Sequence, residues 1–533
     1  ATEEVVATVA NGNADDARRA VETCARVQKH WAKTAPRERS VILRRAYELI
    51  MERQDEFATI MTTEMGKPFA EARGEVAYAA EFFRWFSEEA VRIGGDVTST
   101  GDGATRILVS KEPVGLRPRH AVELPARHGY PQDRTRHRSR LHHRLQTLGA
   151  DAVDLAGTGR RARRGRCAQG CAERRAHHRT REVVSAWMSS GIARKISFTG
   201  STAVGIRLLE QASQHVMRSS MELGGNAPFI VFEDADLDRA VDGALAAKMR
   251  NMGEACTAAN RIFVHRAVAD RFAEKLAARM DALVVGDGLV EGSQVGPLVE
   301  EKALTKVERL VADAVERGAR VVCGGSRPEG PGYFYLPTVL ADVSKDAALM
   351  SEEIFGPVAP LVIFDTEDEV VEIANNTPWG LAGYIFTQDV DRSFRVSEAL
   401  EVGMVGLNTG IVSNPAAPFG GIKHRVSDAR EAPSASTSSS RSSTSRSPVG
   451  DALFRRSLRA EPCLAAAATR AKPGSARKSI RPTHVGQESP DHATVPDRRA
   501  AVPHHFASAS SRPSVEPPPP RPRARPGARA RPT

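Results

Sequence analysis

The chain has 533 residues, enough for about two or three domains that each bury a core. It is 41% hydrophobic and has no apolar run of about eighteen residues, which excludes a transmembrane helix. Six cysteines are too sparse for a disulfide scaffold, and the start of the chain has no secretory signal pattern, so we expect a cytoplasmic protein. The net charge of +10 comes mainly from residues 117–180 and from those after about 425.

Residues 1–116 carry helical and then extended patterns. Residues 40–68 repeat apolar side chains at helical spacing and stop at Gly66 and Pro68. Residues 75–95 form a second amphipathic pattern that ends in a glycine pair. Residues 105–115 then predict a strand.

Residues 181–424 alternate strand and helix patterns. Residues 193–213 predict a strand, a glycine-containing turn and a helix. Three short apolar runs predict buried strands and two amphipathic segments predict helices; they cover 226–232, 260–265 and 358–364, and 268–283 and 302–318. This alternation indicates an α/β fold with doubly wound layers.

Two segments show neither the helical nor the strand spacing of apolar residues. Residues 117–180 are rich in His, Arg and Pro, and residues 425–533 are rich in Ser, Arg, Pro and Ala. The second segment cannot bury enough apolar surface to fold, so we expect a disordered tail. The spacing of the cysteines and histidines within 167–178 fits no usual zinc pattern, and no metal site is expected.

Two reactive side chains stand out by their surroundings. Cys256 follows a small, polar stretch and precedes a predicted buried strand; a lone cysteine in such a place is more often structural than catalytic. Glu222 precedes a Gly-Gly turn, where backbone can approach closely, although a solvated or paired carboxylate is the commoner case.

A second group of residues fits phosphate and ribose binding. Gly200, Ser201 and Gly205 lie at the predicted strand-to-helix turn, where helix amides can meet a phosphate. The spacing is not that of the usual dinucleotide fingerprint, so this signal alone is weak. Glu352 and Glu353 add an acidic turn further along the chain.

Together these motifs, in this order, resemble the aldehyde dehydrogenase superfamily. The matching blocks are EMGKP, ISFTGSTAVG, MELGGNAPFIVF, NMGEACTAANRIFVH, SEEIFGPV, NNTPWGLAGYIFT and NPAAPFGGIK. The resemblance implies a doubly wound NAD(P)-binding domain at 1–222, an α/β catalytic domain at 223–424 and a tail at 425–533. It also implies a homodimer or homotetramer.

The resemblance implies a covalent oxidation. Cys256 would attack an aldehyde as thiolate, giving a thiohemiacetal and then, after hydride loss, a thioester. Glu222 would activate the hydrolytic water. The cofactor would be NADP or NAD, held by residues at the turn, by the ribose-binding Glu353 and by packing: Gly200, Ser201, Gly205, Leu223, Glu353 and Phe355.

Two further positions resemble the carboxylate anchors of succinate-semialdehyde dehydrogenases. Arg250 stands six residues before Cys256, and Ser413 lies in the loop NTGIVSNPAAPFGG. A guanidinium fork suits the carboxylate of a short ω-oxo acid, whereas the alternative for Arg250 is a surface arginine on a helix. Succinate semialdehyde is the expected substrate.

The segment without periodicity has its own explanation. The family has a T-P-W-N-F-P block at this point, whose asparagine stabilises the oxyanion, and then a cofactor-binding lysine. Codons for residues 120–135, begun one nucleotide later, allow T-P-W-N-F-P-L-A-M-V-T-R-K-I-A. Similar shifts recover family-like blocks within 140–157, 167–176 and from 425 onward. One shifted block, K-P-S-A, favours NADP weakly.

We therefore interpret residues of about 117–180 and 425–533 as out-of-frame translation. The first alternative is then a catalytically impaired relative of the same fold, because the chain as written has neither the oxyanion asparagine nor the lysine. The second is a protein that binds nucleic acid through its basic tail. Out-of-frame GC-rich DNA commonly encodes Arg, Pro and Ala, so we expect no nucleic-acid partner.

Overall fold

The computed structural model describes residues 13–113, 115, 119–121, 180–424, 444–446 and 454–455. The chain divides into two compact units, Ala1–Glu461 and Pro462–Thr533, and the second lies outside the described residues. Among the described residues no helix is long and apolar enough to cross a membrane.

Four helices form the N-terminal part and confirm the helical patterns predicted there. The long pattern at 40–68 is two helices, because the chain breaks at Arg53, and it ends at Gly66 in the left-handed region (φ +90°). The next helix begins directly after Pro68, earlier than its apolar pattern, and it ends at Glu89, before the glycine pair at 94–95 where we expected its end. The bounds are α1 Ala14–Trp31, α2 Pro36–Glu52, α3 Gln54–Met65 and α4 Phe69–Glu89.

A two-stranded hairpin follows. Strands β1 (Asp96–Ser99) and β2 (Arg106–Val109) pair antiparallel, and every residue of both strands is exposed. The strand predicted within 105–115 is thereby confirmed, over four residues.

A small parallel sheet confirms the predicted strand, turn and helix at 193–213. The elements here are β3 Arg119–Ala121, α5 Thr180–Met188, β4 Lys195–Thr199, α6 Thr202–Ser213 and β5 Arg218–Glu222. The strand order is β3-β4-β5, and Thr199 of β4 is in register with Glu222 of β5. Ile196, Phe198 and Met221 pack with helix α6 in the core of this layer.

The large sheet has nine described strands, mostly parallel. The three buried strands and two helices predicted for this region are confirmed. The elements are β6 Ala227–Val231, α7 Leu237–Met249, β7 Ala259–His265, α8 Ala269–Asp281, α9 Glu301–Glu316, β8 Arg320–Cys323, β9 Thr338–Ala341, α10 Ala348–Ser351, β10 Val358–Phe364, α11 Glu367–Asn375, β11 Trp379–Gly380, β12 Ala382–Phe386, α12 Val390–Ala399, β13 Met404–Leu407, β14 Ile422–Lys423, β15 Thr444–Arg446 and β16 Phe454–Arg455. The strand order of the large sheet is β16-β15-β13-β12-β6-β7-β10-β9-β8, and β11 and β14 pair antiparallel in a separate two-stranded sheet.

Helices cover both faces of this sheet. Phe229 and Val231 of β6 point into a core with helices α7 and α8, whereas Ile230 between them packs with α9, α11 and α12. This alternation follows from the period of two along a strand. Both faces are apolar, as expected for parallel strands covered on both sides, and the α/β fold class is confirmed.

Parts of the two segments without periodicity are described as backbone strands. β3 lies inside 117–180 and pairs with β4, and β15 and β16 lie inside the predicted tail, where β15 pairs with β13. The rest of both segments, including the cysteines and histidines within 167–178, lies outside the described residues. In the part that is described, no group of three or more metal-ligating side chains could hold an ion.

Candidate active site

Glu222 is placed at the end of a strand and beside a helix N-terminus. It is the last residue of β5, its side chain is buried, and its carbonyl oxygen accepts a hydrogen bond from the Gly200 amide at 2.9 Å. Leu223 follows, also buried, and packs against Gly205 in the first turn of α6. The turn between the small and large sheets, residues 223–226, therefore starts at the predicted base.

Gly225 brings this turn onto the predicted nucleophile. A Cβ at Gly225 would overlap the carbonyl oxygen of Cys256, so only glycine allows the two backbones to approach this closely. Glu222 lies three residues before this contact. The backbone of Cys256 therefore contacts the turn that directly follows Glu222. Cys256 is partly buried.

The loop that carries Cys256 has an unusual backbone. Asn251 (φ 54°), Met252 (φ 55°) and Gly253 (φ 78°) are consecutive residues in the left-handed region. Such a conformation costs about 1–3 kcal/mol at each non-glycine residue and persists only where neighbours fix it. The Glu71 carboxylate accepts a hydrogen bond from the Asn251 amide, and a Cβ at Gly253 would overlap the Gly356 carbonyl. The loop is thus held from two sides.

Glu353 reaches the same turn from the other side. Its Oε1 accepts a hydrogen bond from the Gly225 amide at 2.9 Å, and its Oε2 lies next to Gly224. Phe355 follows in the left-handed region at φ 56°, close to Gly356, which contacts the nucleophile loop. Gly225 therefore contacts both Cys256 and Glu353, the carboxylate that we predicted to bind ribose.

The predicted phosphate site is a strand-to-helix turn. β4 ends at Thr199, Gly200 and Ser201 form the turn, and α6 begins at Thr202 with no capping bond from the Ser201 side chain. The N-terminus of this twelve-residue helix carries a partial positive charge that suits a pyrophosphate. Trp379 Nε1 donates to Thr202 Oγ1 at 3.3 Å. With Glu353 beside Gly225, these residues fit a dinucleotide.

The two predicted substrate anchors converge on a tyrosine. Arg250 Nη2 donates to Thr257 Oγ1 at 3.1 Å, next to the nucleophile, and the arginine remains accessible to solvent. Its electrostatic neighbours are Tyr384, Tyr78 and Cys256. The Tyr78 hydroxyl in turn hydrogen-bonds to Ser413 Oγ. Arg250 therefore interacts with Cys256 on one side and with Tyr78, the partner of Ser413, on the other.

Sequence reasoning missed several of these side chains. Tyr78 belongs to a helix that we assigned only by its apolar face, and Tyr384 to a strand for which we made no prediction. The Tyr384 hydroxyl donates to the Thr257 carbonyl at 2.8 Å, and burial raises the pKa of Tyr384 to about 12, although Arg250 acts against this. A tyrosine within a buried strand was the only available signal.

Glu254, two residues before Cys256, is a fully buried acid. Burial raises the pKa of Glu254 to about 8, although the Val299 amide, which donates to it at 3.2 Å, and the Lys67 cation act against the shift. An unfolded chain loses this proton near its usual pKa of 4.5. Between these values the folded state binds more protons, so the free energy of unfolding falls as pH rises and becomes independent of this group above about pH 8.

This sign predicts the behaviour of Glu254→Gln. The fall in the free energy of unfolding from about pH 5 to about pH 8 is expected to be smaller in the variant by on the order of 3 kcal/mol, since one pKa unit is worth about 1.4 kcal/mol. Urea unfolding of both proteins at the two pH values measures the difference. Equal falls in parent and variant would contradict a raised pKa.

Comparisons with known proteins show the family of the chain. The model of the aldehyde dehydrogenase family matches residues 1–117 and 177–439. A succinate-semialdehyde dehydrogenase of Paenarthrobacter nicotinovorans is 49% identical over 433 residues, covering 79% of this chain and 93% of that protein. A glutarate-semialdehyde dehydrogenase of Pseudomonas putida KT2440 is 45% identical over 445 residues, covering 79% of this chain and 88% of that protein.

A solved structure agrees as well. The crystal structure described as an Escherichia coli NADP dependent enzyme has a TM-score of 0.72 and 42% sequence identity, covering 81% of this chain and 90% of that chain. The family model matches well over half of the chain, and both relatives exceed 40% identity over most of their length. The chain belongs to the aldehyde dehydrogenase family, and it is an oxidoreductase.

Proposed function

We propose that this aldehyde dehydrogenase oxidises a short ω-oxo acid, in the first place succinate semialdehyde, to the dicarboxylic acid. The observation that carries the proposal is the Arg250 cation beside Thr257 and near the Cys256 thiol. One end of a short substrate would meet the thiol while its carboxylate meets the guanidinium. The similarity to a succinate-semialdehyde dehydrogenase supports the same substrate class.

Cys256 and Glu222 divide the covalent chemistry between them. The Cys256 thiolate attacks the aldehyde carbon, and the carbonyl oxygen takes the negative charge. A bound NADP or NAD would supply the hydride acceptor for this oxidation, and the substrate would then be held on Cys256 as a thioester. Glu222 then takes a proton from water, hydroxide attacks the thioester, and the dicarboxylic acid and the free thiol separate.

The cofactor would be held by residues from both sheets. The Gly200–Ser201 turn and the α6 N-terminus would hold the pyrophosphate, and Glu353 the nicotinamide ribose. Gly205, Leu223 and Phe355 would pack around them. The similarity to an NADP-dependent E. coli enzyme supports NADP as the first choice.

The length of the substrate is the finer part of the proposal. One methylene is worth only about 1–3 kcal/mol of discrimination, so glutarate semialdehyde is the expected second substrate. The similarity to a glutarate-semialdehyde dehydrogenase agrees with this. Rates with both semialdehydes, compared as kcat/KM, test the order.

Arg250→Ala tests the carboxylate anchor. We expect KM for succinate semialdehyde to rise about 10–100-fold, because a hydrogen bond to a charged group contributes about 1.5–3 kcal/mol. The kcat/KM for butanal, which has no carboxylate, is expected to change little. Steady-state kinetics with both aldehydes measure the difference.

Arg279→Ala is the matched control. Arg279 on α8 forms an exposed ion pair with Asp242 on α7. It is expected to leave both KM values unchanged. An unchanged KM for the semialdehyde in Arg250→Ala would remove Arg250 from the substrate site.

A second candidate function is a catalytically impaired member of the family. We propose that residues of about 117–180 and 425–533 are out-of-frame translation, and the gap at 118–176 between the two family matches supports the first frame break. The second match runs to 439, somewhat past our boundary at 424. We define the frame-restored chain as the product of a gene in which the codons for residues 117–180 are read one nucleotide later. The rest of that gene is read as in the present chain.

Assembly and location are further proposals. We propose a homodimer or homotetramer, and the exposed apolar residues Val97 and Leu108 on the β1–β2 hairpin support a protein contact there. Light scattering of the purified protein tests this. We also propose a cytoplasmic location, because six cysteines in a chain of 533 residues are too sparse for a disulfide scaffold.

A further inference from the structure

A buried lysine is connected by hydrogen bonds to the turn at residues 223–226, which follows Glu222 and contacts Cys256. Lys248, near the end of α7, is 0% exposed, and its Nζ donates to Asn260 Oδ1 at 2.9 Å. Asn260, at the start of β7, is 1% exposed. Neither side chain has a role in the chemistry described so far. Burial of a charged amine costs free energy unless hydrogen bonds or an opposite charge offset the loss of water.

The hydrogen bonds continue from this lysine in one direction. Asn260 Nδ2 donates to the Gly225 carbonyl at 3.3 Å, and the Gly225 amide donates to Glu353 Oε1 at 2.9 Å. These bonds therefore link the Lys248 amine, through the Asn260 side chain and both backbone groups of Gly225, to the Glu353 carboxylate.

Gly225, the residue in the middle of this chain of hydrogen bonds, is also the residue that contacts Cys256. Gly225 abuts the Cys256 carbonyl, and Glu222 lies three residues before it. Both hydrogen-bonding groups of Gly225 are occupied, one by Asn260 and one by Glu353. The position of Gly225 is thus fixed from both ends. A displacement of about 1 Å near reacting groups can cost about 10²-fold in rate.

We infer that Lys248 and Asn260 are positioning residues, which hold the Gly225 peptide so that the Cys256 thiol, Glu222 and the ribose-binding Glu353 stay in register. Lys248 fixes the orientation of the Asn260 amide, because its Nζ donates to the Oδ1 end and leaves the NH₂ end for Gly225. Asn260 then presents its NH₂ group to Gly225. This inference rests on the proposed function for its kinetic effect but not for its effect on the thiol.

The protonation of Lys248 depends on its surroundings. Burial lowers the pKa of Lys248 to about 7, the Glu353 carboxylate raises it, and Lys306 lowers it further. The carboxylate that binds the ribose therefore also stabilises the charge at the far end of the chain. Replacing either end should affect the other.

Asn260→Asp is the sharpest test. The aspartate keeps an acceptor for Lys248, and adds an ion pair, but it cannot donate to the Gly225 carbonyl. A purely structural role would therefore survive this change. We expect kcat of the frame-restored chain to fall about 10–100-fold with KM for the semialdehyde within about twofold, because Arg250 and Ser413 are untouched.

Lys248→Met tests the other end at similar volume. We expect a similar fall in kcat, and less than additive effects when it is combined with Asn260→Asp, since both break one chain. Asn375→Asp is the matched control. It likewise removes a donor to a carbonyl, that of Ala399 at 2.9 Å, at an exposed site, and is expected to leave kcat unchanged.

The rate of Cys256 alkylation by iodoacetamide gives a readout that needs no turnover. In the chain as printed, followed by peptide mass spectrometry, Asn260→Asp and Lys248→Met are expected to change this rate at least about threefold while that of Cys323 stays constant. A failure of semialdehyde oxidation in all proteins, with this change present, would refute the substrate and keep the inference. Folded variants with the parent's Cys256 alkylation rate would overturn the inference.

Discussion

Restoring the reading frame over residues 117–180 is expected to raise kcat for succinate semialdehyde by at least about 10²-fold. The shifted codons supply the T-P-W-N-F-P block, whose asparagine would donate to the oxyanion that forms when Cys256 attacks. Losing one such donor costs about 10²–10³-fold in rate. The same stretch supplies a cofactor-binding lysine, so the gain is expected to exceed that of the asparagine alone. NADPH formation by both purified chains, at equal concentrations, measures the ratio.

A matched control separates the asparagine from the rest of the segment. The frame-restored chain with alanine in place of the asparagine of the recovered block should regain stability but little of the rate. Equal rates for the printed and frame-restored chains would contradict the frame interpretation. A printed chain with kcat in the ordinary range of about 1–10³ s⁻¹ would do the same.

Cys256→Ala in the frame-restored chain is expected to lower kcat by at least about 10³-fold. The nucleophile is required for each covalent step, and removing one member of such a unit costs nearly as much as removing all of it. Because the backbone contact with Gly225 uses the Cys256 carbonyl and not the sulfur, the fold is expected to remain intact. Steady-state rates and thermal unfolding of the same samples measure both effects.

Cys323→Ala is the control for this substitution. Cys323 lies on β8, its Sγ is 3.7 Å from the Pro337 carbonyl, and burial raises the pKa of Cys323, which makes it a poor nucleophile. Its loss is expected to leave kcat unchanged. A Cys256→Ala protein that retains its activity would show that the covalent route is wrong.

Strands and helices with strong apolar patterns could be predicted, and those shaped by their neighbours could not. The apolar run of β6 and the period of α9 determine those elements locally. β5 contains Arg218, Ser219 and Ser220, which give no strand signal, and it is a strand because it pairs with β4. β12 contains Gly383, which weakens the local signal, and it is stabilised between β6 and β13.

The candidate site divides in a similar way. Cys256, Glu222 and Glu353 could be proposed because each lies in a long local motif whose chemistry is readable. Tyr78 and Ser413 meet across 335 positions of sequence, and no local pattern reports such a contact. Lys248 and Asn260 carry residue types that predict exposure, and only their burial draws attention to them.

The most direct test of the central claim, that Cys256 and Glu222 act on one carbonyl, is a trapped acyl group in Glu222→Gln. With the base removed, hydrolysis is slowed while attack by the thiol is not. Incubation of the frame-restored variant with succinate semialdehyde and NADP, followed by peptide mass spectrometry, is expected to find a succinyl thioester on the Cys256 peptide together with a burst of NADPH. An unmodified Cys256 peptide and a steady rate equal to that of the parent would contradict the account.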